Sequence, residues 1–518
     1  MKSSAYLLTI RHCAIVSVAL CCGITSCKKQ IPAKQPIAFN TGRVTELNNY
    51  LKAYTANLDI PGLAVAIVSK DSVYQTALGK SDDKGAPFTT KTTFLTGSIS
   101  EPLLALSILQ LADEGKISLD EPVITYLPYF KMGGNSYTKI TVRNLLTHTS
   151  GLQHYDIMWD EPDFKDDAPE ITTRSISSQL PEFTQPGSKV KRSPYNFDIL
   201  ADLICKVTGK PFEQYVGSHI LNGLNMKSST FLRPKYTAMP FKTGNWLTYA
   251  VQQDTLYPYN RQNGGSGGLH SSAEDMGKWM FALLNQHTAG KPNKQLLSTS
   301  VLLRSMMKEF KTGKNKGIGF GWDIDTIRGS KMYVKGSKYG GFSNKVILLP
   351  GRQVGVLVSS NISDRDIDPA GLCETIAAWL NGKSLTTSKI PVSMAMSKVF
   401  AKTGSIEQAI AMFQKAQNHD KVLYDTSPAI LSQFGINLLH RSHDKENALK
   451  AFKFCVQQYP RSAYAYLNLA EGYIFMKDAT NSRKALEIAR SLPDDSGLKA
   501  SYQAYLKDNL EILEEKKG

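Results

Sequence analysis

Ser98 and Glu101 lie three residues apart and combine a potential nucleophile with an ionisable group. They belong to the run Phe-Leu-Thr-Gly-Ser-Ile-Ser-Glu-Pro-Leu-Leu-Ala at 94–105, which predicts a short apolar strand, a turn and an apolar helix. A serine hydroxyl attacks only when a neighbouring base takes its proton, and residues three apart on a helix share one face. A carboxylate there could accept a proton, but it would oppose the negative charge that develops on a substrate oxygen. The same residues also fit a helix capping box, which is a purely structural interpretation.

The run around Ser98 resembles the nucleophile motif of the penicillin-recognising serine hydrolases, which include serine β-lactamases, penicillin-binding proteins and related esterases. Their motif is Ser-x-x-Lys, and Glu101 stands where the lysine belongs. The resemblance, which is of the class C β-lactamase type, covers about residues 41–385. Three further segments are similar to signatures of the β-lactamase-related hydrolases: Thr-Val-Arg-Asn-Leu-Leu-Thr-His-Thr-Ser-Gly-Leu at 141–152, Gly-Gly-Ser-Gly-Gly-Leu-His-Ser-Ser-Ala-Glu-Asp at 264–275, and Gly-Ile-Gly-Phe-Gly-Trp-Asp at 317–323. In that family the first segment is a structural turn, so we expect His148 to be structural rather than catalytic.

The second motif of the family, Tyr-x-Asn, supplies a proton-shuttling hydroxyl and a substrate-orienting amide. It falls between a Pro-Gly turn and a helix that ends in Val-Thr-Gly, which are found here at 186–187 and 207–209. Counting from either end, without a gap, reaches Arg192-Ser193-Pro194, so Arg192 replaces the tyrosine. The pair Tyr195-Asn196 lies three residues late and could substitute only if the loop were rebuilt.

The third motif, Lys-Thr-Gly or His-x-Gly, lies on a strand that lines the site and provides a cation for the substrate carboxylate. Lys335-Gly336-Ser337 stands at the corresponding place, six residues before Gly341. The lysine is retained, and Ser337 adds a side chain where the backbone should approach substrate closely. The resemblance implies that Lys338 supplies the second N–H of the oxyanion hole, beside that of Ser98.

The elements that must position these residues predict an α/β (α+β) domain. Helical periodicity predicts a helix over 41–57, and residues 62–79 read as a β-hairpin. Two late strands are predicted at 343–349 and 353–360, with mainly helical patterns between the early and late strands. The resemblance implies a β-lactamase/transpeptidase-like antiparallel sheet flanked by helices, within a domain that spans 41–385.

From residue 393 to 518 only helical periodicity remains, after a short polar linker at 382–388. Small residues where helices cross, large residues between them and a proline at a helix end resemble a tetratricopeptide repeat at 445–460. An earlier unit is predicted at 406–417 and a poorer one at 482–493. A generic helical bundle is the alternative, and in either case the region is expected to bind or pack rather than catalyse.

The N-terminus resembles a bacterial lipoprotein signal over residues 1–27. Lys2 and Arg11 precede an apolar stretch at 13–24, and Thr25-Ser26-Cys27 follows. Cys27 would become the lipidated first residue of the mature protein, followed by a polar tether at 28–40. The alternative is a plain secretory signal or a short membrane anchor.

The net charge of +16 is spread along the chain without a dense arginine tract, which argues against nucleic-acid binding. It is more compatible with an anionic envelope polymer or lipid surface. The cysteines beyond the signal, Cys205, Cys373 and Cys455, match no metal-ligand spacing. We therefore expect no metal and no cofactor.

The leading expectation is a lipid-anchored protein on the periplasmic side of the bacterial envelope whose hydrolase-like domain no longer catalyses. Its cleft would bind a cell-wall peptide, a β-lactam-like ligand or a partner, and its helical region would bind protein. We further expect Glu101 and Arg192 to form an ion pair over Ser98 that replaces the Lys–Tyr proton relay. The alternative is an active serine hydrolase of the esterase, D-Ala-D-Ala peptidase or β-lactamase type, acylated at Ser98 with Glu101 or Tyr195 as an unusual base.

Overall fold

The computed structural model describes residues 41–515 except 71, 155–163, 244–250, 254–256, 286–300, 302–303, 307–308, 328–329, 364–368, 386–388 and 498. The predicted signal peptide, the tether and Cys27 lie outside these residues. The described ranges belong to one compact unit. Of the helices in these ranges, none combines the length and the apolar character that a membrane crossing requires.

An eight-stranded antiparallel sheet forms the centre of the first part of the chain. Its strands are β1 (Gly62–Ser69), β2 (Ser72–Gly79), β3 (Phe310–Lys311), β4 (Gly317–Ile318), β5 (Asp323–Ile327), β6 (Ser330–Tyr339), β7 (Phe342–Leu349) and β8 (Val354–Ser360). They lie in the order β2-β1-β8-β7-β6-β5-β4-β3. The early hairpin joins the late strands through β1 and β8, with Val65 opposite Val358. The predicted fold class, with one sheet that gathers both ends of the segment, is confirmed.

Helices cover both faces of the sheet. In the first part of the chain they are α1 (Thr41–Asn57), α2 (Ser100–Asp113), α3 (Val123–Tyr126), α4 (Val142–Leu146), α5 (Ala168–Ser175), α6 (Tyr195–Thr208), α7 (Phe212–Val216), α8 (Gly264–Gly267), α9 (Ala273–Leu284) and α10 (Leu372–Leu380). Helix α2 is mostly apolar and is buried along most of its length, as expected for a helix surrounded by protein.

Strand β1 shows how the two faces differ. Successive side chains of a strand point to opposite faces. Ala64, Ala66 and Val68 belong to the core that contains α2 and α9, whereas Leu63, Val65 and Ile67 belong to the core that contains α1 and α10. The strand is therefore buried on both sides, which explains why its sequence is a continuous apolar run rather than an alternating one.

The remainder of the described chain is helical apart from a two-residue parallel pairing of Ile390–Pro391 with Tyr424–Asp425, and it has a hydrophobic core of its own. Its helices are α11 (Val392–Thr403), α12 (Ile406–His419), α13 (Pro428–His440), α14 (Lys445–Gln458), α15 (Ala463–Phe475), α16 (Ala479–Ser491) and α17 (Lys499–Glu515). The predicted all-helical character is confirmed. The assignment of the region as a tetratricopeptide repeat stays a prediction.

The helical region contacts the sheet domain on the face that carries α1 and α10. Met394 of α11 is buried in that core, and Lys398 forms an ion pair with Asp59. Helix α2, which begins at Ser100, packs on the opposite face of the sheet. The helical region is therefore anchored on the side of the sheet away from α2.

Gly321 lies where the segment before β5 meets the start of α2. Its φ of +77° is in the left-handed region, and an added Cβ would come within 2.7 Å of the Pro102 backbone nitrogen and 2.9 Å of the Glu101 carbonyl carbon. The Gly321 N–H donates a hydrogen bond to the Leu146 carbonyl at 3.1 Å. This close approach sets where Glu101 sits relative to β5.

We predict that Gly321→Ala destabilises the sheet domain by about 2 to 4 kcal/mol, because it combines a strained φ with overpacking. Urea unfolding followed by tryptophan fluorescence measures this domain selectively, since all five tryptophans precede residue 385. The matched control is Gly313→Ala, whose Cβ would meet only the Lys316 Cβ at 3.9 Å, and which should change stability by less than about 0.5 kcal/mol. Equal stability of the two variants would contradict the assignment.

Candidate functional site

A tight turn presents Ser98 at the start of the buried helix α2. Ser98 is the middle residue of a 3₁₀ turn that continues directly into α2. The Thr96 backbone N–H and hydroxyl both donate to the Leu269 carbonyl, at 2.8 and 3.0 Å. The Ser100 hydroxyl donates to the Gly97 carbonyl at 2.6 Å and accepts from the Leu269 N–H at 3.0 Å. The glycine-rich segment that contains Leu269 therefore fixes the geometry of the turn.

Four of the residues singled out from the sequence, Ser98, Glu101, Arg192 and Lys335, line one cleft of about 190 Å³. The other residues that line it are His148, His154, Ser193, Pro194, Asp323 and Gly336. Ser98 is half-buried, and within the described residues its hydroxyl is in no hydrogen bond.

The Glu101 carboxylate is buried between two groups that favour its ionised form. The Lys335 ammonium contacts its Oε2 directly, and His148 Nε2 lies 3.2 Å from the same oxygen. The side chains of Glu101, Lys335 and His148 are 6%, 4% and 2% exposed, respectively. We call these three residues the carboxylate cluster.

The protonation of His148 follows from its hydrogen bonds. The Ser150 hydroxyl donates to Asn196 Oδ1 at 2.6 Å, which turns the Asn196 amide nitrogen toward His148 Nδ1 at 3.1 Å. Nδ1 therefore accepts a hydrogen bond, and Nε2 carries the proton that is donated to Glu101. Burial lowers the pKa of His148 against the opposing effect of Glu101, so the ring is neutral at pH 7.

The electrostatics of the cluster keep Glu101 ionised. Burial alone would raise its pKa, but the charge of the Lys335 ammonium, the electrostatic effect of the His148 ring and hydrogen bonds from both lower it from 4.5 to about 2. Burial also lowers the pKa of Lys335, and the Glu101 carboxylate opposes that change. A contact ion pair with a hydrogen-bonded imidazole is the arrangement that makes a buried carboxylate tolerable.

Arg192 lies on the rim of the cleft and pairs with Asp323, the first residue of β5. The predicted ion pair between Glu101 and Arg192 is therefore wrong: both side chains are described, and each has a different partner. Lys335 projects from β6 into the buried space beside Glu101, whereas Arg192 and Asp323 remain 44% and 43% exposed. Partial burial still lowers the pKa of Arg192, and the Glu101 carboxylate opposes that change, so the two charges interact across the cleft without forming a contact ion pair.

Two alternatives from the sequence are also corrected. The capping-box interpretation is wrong, because Ile99 is the N-cap of α2 without a side-chain cap hydrogen bond and Glu101 turns into the cleft. Tyr195 does not substitute for the missing tyrosine, because its hydroxyl accepts a hydrogen bond from Gln179 at 3.1 Å and it does not line the cleft.

Strand β6 passes close to the turn that carries Ser98. It pairs with β5 only as far as Val334, so its later residues face the turn along that edge. A Cβ added to Gly97 would lie 2.0 Å from the Ser337 hydroxyl oxygen, which shows how closely the two backbones approach. Lys338 is the next residue along β6, and its role in an oxyanion hole stays a prediction.

Sequence reasoning missed two contributors to the cleft. His148 was expected to serve only in a turn, yet it is a hydrogen-bond partner of Glu101. Asp323 entered the sequence analysis only as the last residue of the family-like segment 317–323. Its carboxylate lies two residues after the glycine turn at Gly321, and this pattern could have marked it as a candidate residue of the cleft. Among the described residues, no cluster of three or more His, Cys, Asp or Glu side chains could hold a metal ion.

Comparison with known proteins agrees with the geometry. Residues 47–371 match the protein family described as Beta-lactamase. The chain is 30% identical over 288 residues to the "Putative penicillin-binding protein PbpX" of Bacillus subtilis (strain 168), covering 54% of this chain and 66% of that protein. It is 26% identical over 307 residues to "Protein flp" of Staphylococcus aureus (strain MW2), covering 59% and 60%. The matched region thus spans less than two thirds of the length of these curated relatives.

A solved structure shows the same fold. The octameric penicillin-binding protein homologue from Pyrococcus abyssi superposes with a TM-score of 0.54 at 23% sequence identity, covering 70% of this chain and 82% of that one. At this level of identity the likeness establishes the fold alone.

We predict that Glu101→Gln destabilises the sheet domain by about 3 kcal/mol, because it leaves the Lys335 ammonium buried without a counter-charge. Tryptophan-monitored urea unfolding at pH 7 measures the loss. The control is Glu114→Gln at the end of the same helix, where the carboxylate pairs with Lys116 at the surface and should contribute under about 1 kcal/mol. The double variant Glu101→Gln/Lys335→Met should recover part of the loss, and a double variant as unstable as the sum of both singles would contradict the pairing.

The pH dependence of stability should carry the signature of Glu101. Its pKa is about 2 in the folded chain and near 4.5 when unfolded, so the unfolded state binds more protons between these values. The stabilisation from Glu101 is fully present above about pH 4.5 and is lost as the pH falls toward 2. The difference in unfolding free energy between the wild type and Glu101→Gln should therefore shrink from pH 6 to pH 3, and a constant difference would contradict the lowered pKa.

Proposed function

The chain belongs to the beta-lactamase family, and from this premise we propose that its Ser98 cleft binds a ligand without forming an acyl-enzyme. The burial of the Glu101 carboxylate in contact with Lys335 and His148 is the observation that carries the proposal. In the position from which a neutral lysine would activate the serine, the chain holds an ionised carboxylate with a pKa of about 2. A general base works best when its pKa lies near the operating pH.

The other groups of the carboxylate cluster do not replace the missing base. The Lys335 ammonium is paired with Glu101, and a protonated amine has no lone pair with which to accept a proton. Both ring nitrogens of His148 are engaged, one by Glu101 and the other by Asn196. The negative charge of Glu101 also opposes the oxyanion that would develop on a substrate attacked by Ser98. Neither the deprotonation of Ser98 nor the transition state of acylation is therefore stabilised by this cluster.

We propose that the ligand is a cell-wall peptide or a protein partner, and that the helical region binds a second protein. The name of the Bacillus subtilis relative supports the first suggestion, since it describes a putative penicillin-binding protein. The location of α11 supports the second, because Met394 anchors it on the sheet face opposite α2. A lipid on Cys27 would hold the protein on the periplasmic side of an envelope membrane, and the signal-like sequence at 1–27 supports this.

An active serine hydrolase is the second candidate. The observation in its favour is that Ser98 keeps its place in the cleft, at the start of the buried helix and close to β6. An intact binding site retains some rate even when the groups that activate the nucleophile are removed. In this case Glu101 would be the base, since Tyr195 lies outside the cleft.

We predict that neither fluorescent penicillin nor a fluorophosphonate probe labels the wild-type chain, because no group deprotonates Ser98. Intact mass spectrometry after incubation for several hours checks this, with Ser98→Ala as the matched control and an active penicillin-binding protein as the positive control. The wild type and Ser98→Ala should have equally unlabelled spectra. A stoichiometric adduct on the wild type that is absent from Ser98→Ala would establish the hydrolase candidate instead.

A converse experiment restores the missing groups. We predict that Glu101→Lys combined with Arg192→Tyr gains measurable acylation by penicillin, because an amine beside Lys335 has its pKa lowered by the like charge. The control is Glu101→Gln combined with Arg192→Tyr, which removes the same charges without adding an amine and should stay unlabelled. If the lysine variant folds but also stays unlabelled, Glu101 and Arg192 are not what prevents catalysis.

A further inference from the structure

We propose that Arg192, rather than Lys335, binds the carboxylate of a ligand in this cleft. Without the ligand, the Asp323 carboxylate occupies the position on Arg192 that the ligand's carboxylate takes when it binds. The inference rests on the proposed binding function and names the chemical class of its ligand, a small molecule or peptide end that carries a carboxylate.

Lys335 is not available to an anionic ligand. Its side chain is only 4% exposed, and its ammonium contacts Glu101. If Lys335 moved to a ligand, the Glu101 carboxylate would remain buried with His148 as its only described partner. Removing one partner from a buried ion pair is strongly unfavourable, because the other charge is left uncompensated. Lys335, the lysine that the sequence retains from the third motif, therefore stays paired with Glu101 inside the protein.

Arg192 is accessible to solvent, and its ion pair with Asp323 contributes little to stability. Its side chain and that of Asp323 are each more than two-fifths exposed, and exposed ion pairs contribute little net stabilisation. A guanidinium carries five N–H donors in a planar fork that matches a carboxylate, so Arg192 can exchange Asp323 for another carboxylate. The Asp323 carboxylate itself shows that this wall of the cleft accommodates such a group.

The surroundings of Arg192 favour a ligand that places only its carboxyl-terminal end in the cleft. The cleft is about 190 Å³, which is smaller than the roughly 300–1,000 Å³ of sites that enclose whole drug-sized ligands. Ser98 lines the same cleft, and its hydroxyl can donate or accept one further hydrogen bond. A terminal carboxylate on Arg192 with an adjacent polar group near Ser98 fits this arrangement.

The opposite exchange, in which a cationic ligand displaces Arg192 from Asp323, is disfavoured by charge. The chain carries a net charge of +16, so its long-range field attracts anions and repels cations. The two possibilities differ in the effect of neutralising Asp323. Its neutralisation should strengthen carboxylate binding if Arg192 is the receptor, and it would abolish binding of a cation.

Isothermal titration calorimetry of the full chain with N-acetyl-D-alanyl-D-alanine and its C-terminal amide tests the assignment. The wild type should bind the acid at least about ten-fold more tightly than the amide. Arg192→Gln should bind the acid and the amide about equally tightly. Asp323→Asn should tighten acid binding by about two- to five-fold without changing amide binding. The matched control is Lys191→Gln, which removes the neighbouring positive charge; Lys191 pairs with Glu182 and lies outside the cleft lining.

The outcomes separate this inference from the proposed function. An acid preference that survives in Arg192→Gln, an Asp323→Asn variant that does not bind the acid more tightly, or absence of binding by both peptides would overturn the assignment of Arg192. Repeating the titration in Ser98→Ala removes acylation from the measurement. A β-lactam adduct on the wild type, found together with an Arg192-dependent acid preference in Ser98→Ala, would overturn the non-covalent function and leave the carboxylate site standing.

Discussion

The buried contact between the Glu101 carboxylate and the Lys335 ammonium is the interaction on which the site depends. Each of these charges would be costly to bury alone, and each is tolerated because the other lies in direct contact with it. His148 completes the arrangement by donating from Nε2. The carboxylate cluster thereby ties together the start of α2, strand β6 and the turn after α4, which form part of the walls of the cleft.

The residue type at position 101 decides the charge state of the groups that are buried beside Ser98. With a lysine at position 101 the buried space would hold two like charges, and their repulsion would keep one amine neutral and basic. With a glutamate at the same position the two charges are opposite, and both groups are stabilised in their ionised forms. The buried interior becomes an electroneutral support for the fold, and under the proposed function Ser98 is left without a neutral amine to accept its proton. The cleft then presents its exposed charges, Arg192 and Asp323, at the rim.

Much of the fold could be predicted from the sequence, because the apolar runs of β1, β7 and β8 and the helical periodicity of α1 are local signals. The placement of Ser98, Glu101, Arg192 and Lys335 in one cleft could also be expected, since the order of motifs along the chain fixes where each must lie. The choice of ionic partners could not be predicted. Whether Glu101 reaches Lys335 or Arg192 depends on side-chain direction and burial, and no spacing along the chain encodes either.

The central claim is that Glu101 is an ionised carboxylate held in that form by Lys335 and His148. The most direct measurement is a carbon-13 NMR titration of the side-chain carboxyl of Glu101 in selectively labelled protein, with Glu101→Gln used to assign its signal. A resonance that stays at the chemical shift of a carboxylate from pH 7 down to about pH 3 is the result that the account predicts. A titration midpoint at or above 4.5, the ordinary value, would contradict it.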